Sequence, residues 1–99
     1  MARGSVAVVG AAETTEMGVI PETSELQLQA EAALNAMADA GLSAANIDGI
    51  TSAGEAPDAL AQYLGITPTW MDGTLIGGSS FMLHVRHAMS AIEANLCST

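Results

Sequence analysis

WMDGTLIGGSSFMLHVRHAMSAIEANL, residues 70–96, is the stretch on which the reading of this chain turns. Residues 69–76, behind Pro68, have the apolar character of a strand, and Asp72 and Gly73 interrupt it as a bulge or a sheet edge would. Gly77, Gly78, Ser79 and Ser80 follow and lead directly into a helical pattern that runs from about Ser79 to Asn95. A glycine turn between strand and helix sets small side chains and free backbone N–H groups at a helix N-terminus, where anions, oxyanions and nucleophiles are most easily held. Gly77, Gly78, Ser79 and Ser80 are therefore the candidate site. Ser79 and Ser80 read first as helix caps, because helix starts select serine. A nucleophilic role would need an adjacent general base, and none is evident beside them in the sequence.

Within the helical pattern, Phe81, Val85, Ala88, Met89, Ile92 and Leu96 fall on one face, with Leu83, His87, Ser90 and Ala94 off it. Apolar residues occur on more than one side, so the helix is expected to be buried on several sides, in a larger fold or at a subunit contact. His84 and His87 are three apart, a spacing that two metal ligands can share. No carboxylate lies one turn away and no third ligand is evident, so the favoured expectation is no metal, with one histidine packed or hydrogen-bonded inside and the other at a surface or interface. Arg86 is expected to pair with Asp72 or Glu93, with a coenzyme A phosphate as the alternative.

Upstream, residues 5–10 form a β-branched run ended by Gly10, the pattern of a buried parallel strand. Gly10-Ala11-Ala12-Glu13 lacks the glycine spacing of a dinucleotide-binding turn, and Glu13 and Glu16 stand where a pyrophosphate would sit. Residues 11–21 read as a loop. Ser24 and Gln27 make a capping box, and Leu26, Ala30, Ala33, Leu34 and Met37 recur on one helical face before a left-handed stop at Gly41 and Leu42. Ser43 caps a brief turn through Asn46, residues 47–52 form a second strand weakened by Gly49, and residues 58–64 form a short helix ended by Gly65. This order predicts an α/β fold of about three mainly parallel strands with flanking helices.

The chain has 99 residues, enough for a single domain, 1–99, but with too few elements to cover both faces of a parallel sheet. It is therefore expected to be an incomplete domain or to pair with another chain. Its net charge is −9 with only two cations, Arg3 and Arg86, which speaks against a nucleic-acid partner. One cysteine, Cys97, fits a reducing, cytoplasmic compartment and is expected to be a small packed side chain. No segment approaches the roughly 20 apolar residues that cross a bilayer, so no membrane partner is expected.

Val6-Ala7-Val8-Val9-Gly10 with Glu13, Ala38-Asp39-Ala40-Gly41-Leu42, Ile47-Asp48-Gly49-Ile50, Leu64-Gly65-Ile66 and Ala91-Ile92-Glu93-Ala94-Asn95 occur in an order and spacing similar to the N-terminal part of the thiolase superfamily. The resemblance is to sterol-carrier-protein-type thiolases and their lipid-transfer relatives, and it covers nearly the whole chain but a minor part of such a protein. It implies a layered thiolase-like fold, a role in lipid metabolism, a homodimer with the strand at residues 70–76 near the contact, and an acyl-CoA thioester as substrate rather than a resident cofactor. The family's nucleophilic cysteine falls near Gly78 or Ser79, and neither is cysteine. That departure speaks against acyl-cysteine thiolysis and toward the family members that cleave a C–C bond by retro-aldol chemistry with an OB-fold partner subunit. The family's remaining catalytic groups lie beyond the segment matched, so this chain alone is expected to lack a complete active site. The alternative is a non-catalytic, oligomeric or partner-binding α/β module.

Overall fold

Ser24 starts the first helix as its spacing predicts. In the computed structural model, which describes residues 5–15, 24–54, 56–74 and 80–99, the Ser24 hydroxyl accepts from the Gln27 N–H at 3.2 Å, and the Gln27 side chain accepts from the Ser24 N–H at 3.0 Å. This reciprocal pair satisfies donors that a helix start otherwise leaves open. Helix α1 runs Glu25–Ala40 and stops at Gly41, whose φ of 72° is a conformation glycine adopts without steric cost. The Leu42 N–H then closes the stop on the Met37 carbonyl at 2.8 Å.

A 3-10 turn, Ala44–Asn46, leads into strand β1, Gly49–Ala53. Helix α2, Pro57–Leu64, crosses over to strand β2, Trp70–Thr74, which pairs in parallel with β1. The register is continuous from Gly49 opposite Trp70 to Ala53 opposite Thr74, so Asp72 and Gly73 introduce no bulge. Gly49 belongs to β1 for want of room: a Cβ there would lie 2.8 Å from the Cys97 sulfur. Helix α3, Ser80–Glu93, follows. Asn95, at φ 61°, takes the left-handed position after it, and the Leu96 N–H bonds the Ala91 carbonyl at 2.9 Å.

The α/β expectation is met with two paired strands among the described residues. Residues 5–10 are the exception, for they form no strand, and Val8 and Val9 are 84% and 64% exposed. Their neighbours are helices. Ser5 donates to Glu93 at 2.6 Å, the Ala11 N–H donates to Asp39, and Gly10 lies against the backbone of α1 at Ala36. Contacts with α1 and α3 at both of its ends lay the segment along the helices.

The core is small and aliphatic: Ala30 and Met37 from α1, Leu60 and Ala61 from α2, then Ile66, Ala91 and Cys97. Leu34, expected inward, is 51% exposed. The larger departure is in α3. Phe81 and Val85 are 68% and 55% exposed, and the residues buried in this helix are Ser80, His84 and Ala91. The helix turns its small and polar line toward β2, while Ala88, Met89 and Ile92 are half-buried at its flanks.

Candidate functional site

Trp70, Asp72 and Thr74 alternate along β2 and therefore share one face of the strand. His84, His87 and Ala91 recur at three and four residues along α3 and share one face of the helix. The two faces meet with α3 running back along β2. Thr74 Oγ1 and His84 Nε2 share a hydrogen bond of 2.7 Å, and the His87 Nδ1–H donates to Asp72 Oδ2 at 2.6 Å. His84 is 6% exposed and sets its ring edge-to-face against Phe81, with centroids 6.2 Å apart at 81°. His87 and Asp72 are partly open to solvent, at 45% and 27%. One histidine is thus bonded inside and the other lies at the surface, as expected.

The first rung matters for the candidate turn. Thr74 is the last residue of β2 and Ser80 the first of α3, so the part-buried Thr74–His84 bond ties together the two elements that flank residues 75–79 in the chain. Ser80 is completely buried at this junction. Gly77, Gly78 and Ser79 lie outside the described residues.

Arg86 is exposed and pairs with neither expected carboxylate: Asp72 bonds His87, and Glu93 accepts from Ser5. Among the described residues, no three His, Cys, Asp or Glu side chains are grouped to hold a metal ion. Cys97 is buried against Gly49, and burial, with a smaller contribution from the Asp48 charge, pushes its thiol above the usual cysteine range. That environment disfavours thiolate, so Cys97 is a packing group.

Asp48 carries a role the sequence did not suggest. Its carboxylate accepts from the backbone N–H groups of Thr99 at 2.8 Å and Ser98 at 2.9 Å, and from the Ser98 hydroxyl at 3.1 Å. Those bonds, the Thr99 N–H first, hold its carboxyl below the usual aspartate range. The Asp48 and Gly49 N–H groups in turn donate to the Thr99 carbonyl, and Thr69 Oγ1 donates to Leu96 O at 2.6 Å. The segment after α3 is thus clasped to the start of β1, and the foot of α3 is fixed relative to the sheet. Partners some 50 residues apart leave no local spacing to read.

Comparison with known proteins finds similar chains among lyase, aldolase and thiolase-like proteins. No protein-family model matches the sequence. A curated relative, 17-hydroxy-3-oxo-4-pregnene-20-carboxyl-CoA lyase of Mycobacterium tuberculosis (strain ATCC 25618 / H37Rv), is 36% identical over 97% of this chain and 26% of its own length. Among solved structures, the Ltp2-ChsH2(DUF35) aldolase matches with a TM-score of 0.79 and 28% identity, over 93% of this chain and 25% of that one. A monomeric SCP2-thiolase like protein type 1 from Mycobacterium smegmatis matches with a TM-score of 0.73 and 26% identity, over 90% of this chain and 20% of that one. The chain therefore spans about a quarter of the length of the relatives it matches.

Proposed function

We propose that this chain, a thiolase-like segment in both sequence and fold, is the part of an acyl-CoA aldolase that carries the strand-to-helix turn of the acyl-thioester pocket. The observation that carries the reading is the likeness to a carboxyl-CoA lyase and to an aldolase of the same fold, combined with a turn that holds Gly77, Gly78, Ser79 and Ser80 and no cysteine. An acyl-cysteine route needs a thiolate at that turn. Cys97 does not supply it, since it is buried beyond the far end of α3.

Retro-aldol cleavage needs no acyl-enzyme. A base removes the proton of the β-hydroxyl, the C–C bond breaks, the oxygen becomes a carbonyl, and the electron pair passes into the thioester as an enolate. An enolate is stabilised by positioned hydrogen-bond donors, and backbone N–H groups at a helix start are suited to that task. The base would come from outside this segment, so the chain alone is expected to bind an acyl-CoA without cleaving it.

The name of the Ltp2-ChsH2(DUF35) aldolase pairs two components, which supports a partner subunit, here proposed as an OB-fold protein. We also retain a homodimer contacting through residues 70–76, and a cytoplasmic setting suggested by the single thiol. No described helix is long and apolar enough to cross a membrane. The second reading, an oligomeric or partner-binding module without chemistry, is favoured by the exposure of Phe81, Met82 and Val85 on α3.

Calorimetric titration of the chain with a 3-hydroxyacyl-CoA and with free coenzyme A separates the two. The aldolase reading predicts binding of the thioester at least ~10-fold tighter than of coenzyme A, about 1.4 kcal/mol. Equal or absent binding by a monodisperse chain would favour the module.

A further inference from the structure

The outward side of α3 has a pattern of its own. Met82, Val85, Met89 and Ile92 follow one another at three, four and three residues, the spacing of the a and d seam of a heptad. Met82 is 78% and Val85 55% exposed, and Met89 and Ile92 are half-buried, so the seam stays open to solvent along most of the helix. At Ile92 it runs into an apolar cleft of about 570 Å³ that Val6, Val9 and Leu42 also line. Arg86 and Glu93 stand on one flank of the seam, seven residues apart, each just after a d position. Arg86 is exposed and has no ion-pair partner among the described residues. Glu93 Oε1 accepts from the Ser5 hydroxyl, and a carboxylate has a second oxygen to offer. The opposite flank, Phe81 and Ala88, is uncharged.

A seam of this kind needs a second helix, and charges on its flanks select which one. An acidic partner would satisfy Arg86 and be repelled by Glu93, and a basic partner the reverse. An identical helix satisfies both, provided that it runs antiparallel. A two-fold axis across the pair then sets each flank against the same flank of the other copy, so that Arg86 of each faces Glu93 of the other. A parallel pair would set the charged flank against Phe81 and Ala88 and make no ion pair. In the antiparallel register the axis passes near Ser90, Met89 stacks on Ile92 of the second copy, and Met82 lies past the end of the overlap.

We infer that the outward face of α3 is a self-association surface, on which a second copy of this chain packs its own α3 antiparallel through Val85, Met89 and Ile92, held in register by two Arg86–Glu93 ion pairs. The contact is separate from residues 70–76 and from the candidate turn, and it rests on neither.

Sedimentation equilibrium at physiological ionic strength, where repulsion between two chains of charge −9 is largely screened, measures the dimer directly. The expected result is a reversible dimer with a micromolar dissociation constant. Arg86→Glu should weaken it at least ~10-fold, by turning two attractions into two repulsions. Adding Glu93→Arg to that variant should restore the affinity to within about 3-fold, because the swapped flank is again complementary to itself. Ser5→Ala, which frees Glu93 without altering charge, should leave the dimer intact, and Val85→Asp should leave a monomer. Circular dichroism checks that each variant folds. Should the variants not fold, intermolecular nuclear Overhauser contacts between Met89 and Ile92 methyl groups, in a mixture of differently labelled unaltered chains, decide the matter, and their absence overturns the surface. A chain that stays monomeric throughout the micromolar range overturns it as well and leaves the seam to a different polypeptide. So does a dimer indifferent to Arg86→Glu, or one that the charge swap fails to restore, which would point to association through residues 70–76.

Discussion

Helices α1 and α3 are close in length, 16 and 14 residues, and both carry apolar residues at helical spacing, yet they use them differently. In α1, two predicted face residues, Ala30 and Met37, are buried, and both helix ends are closed by local hydrogen bonds. In α3 the buried residues are a serine, a histidine and an alanine, while Phe81, Met82 and Val85 face outward. The difference lies in what each helix packs against. α1 lies on an aliphatic surface shared with α2, whereas α3 lies on a strand face that presents Asp72 and Thr74, to which its two histidines bond, His84 inside and His87 at the surface. A helix apolar on several sides satisfies its polar partners first, and the remaining apolar side is left for another surface.

Methionine truncation tests this contrast with the largest expected effect. Met37→Ala in α1 should lose about 2–4 kcal/mol of stability in urea denaturation, because it removes buried volume from a small core. Met82→Ala in α3, at a residue 78% exposed, should change stability by less than about 0.5 kcal/mol. Similar losses at both positions would break the comparison and place Met82 in a buried contact.

The polar rung inside α3 comes next. His84→Leu should cost about 1–3 kcal/mol by leaving Thr74 Oγ1 without its partner at the helix. In a double-mutant cycle with Thr74→Val, part of that loss should be recovered, with a coupling of roughly 1 kcal/mol. Additive losses would mean that the hydrogen bond adds nothing beyond the packing of each side chain.

The helix stops differ as well. Gly41 closes α1 at no conformational cost, whereas Asn95 holds the same left-handed region with a side chain. Asn95→Gly should raise stability by roughly 0.5 kcal/mol, while Gly41→Ala should lower it by about 1 kcal/mol, both read from urea midpoints.

The smallest effect belongs to the clasp that fixes the foot of α3. The Asp48 carboxyl is held below its unfolded value, so its stabilisation is complete above the ordinary aspartate range and is lost as pH falls through the depressed folded value. Asp48→Asn should therefore flatten the acid limb of a stability-versus-pH curve. An unchanged limb would remove the clasp from the account.

What could be read from the residues was local. The Ser24–Gln27 box, the stops at Gly41 and Gly65 and the strand, helix, strand order each depend on neighbours within a few positions, and each is found. The β-branched run at residues 5–10 signals burial without saying against what, and the segment lies against the helices with Val8 and Val9 exposed. The burial of α3 on several sides is not found, and hydrophobic spacing could not show which side is buried because it does not register that Asp72 and Thr74 need partners. Of the candidate site, Ser80 is placed, at the buried start of α3, and Gly77, Gly78 and Ser79 lie outside the described residues. The comparisons supplied what spacing could not, namely a likeness to a carboxyl-CoA lyase and to an aldolase.

The most direct test of the central claim is an amide chemical-shift map of the chain titrated with a 3-hydroxyacyl-CoA. The account predicts that the largest, saturable perturbations fall on Gly77, Gly78, Ser79 and Ser80, with smaller ones at Thr74 and His84. Perturbations confined to other surfaces, or none at saturating ligand, would contradict it.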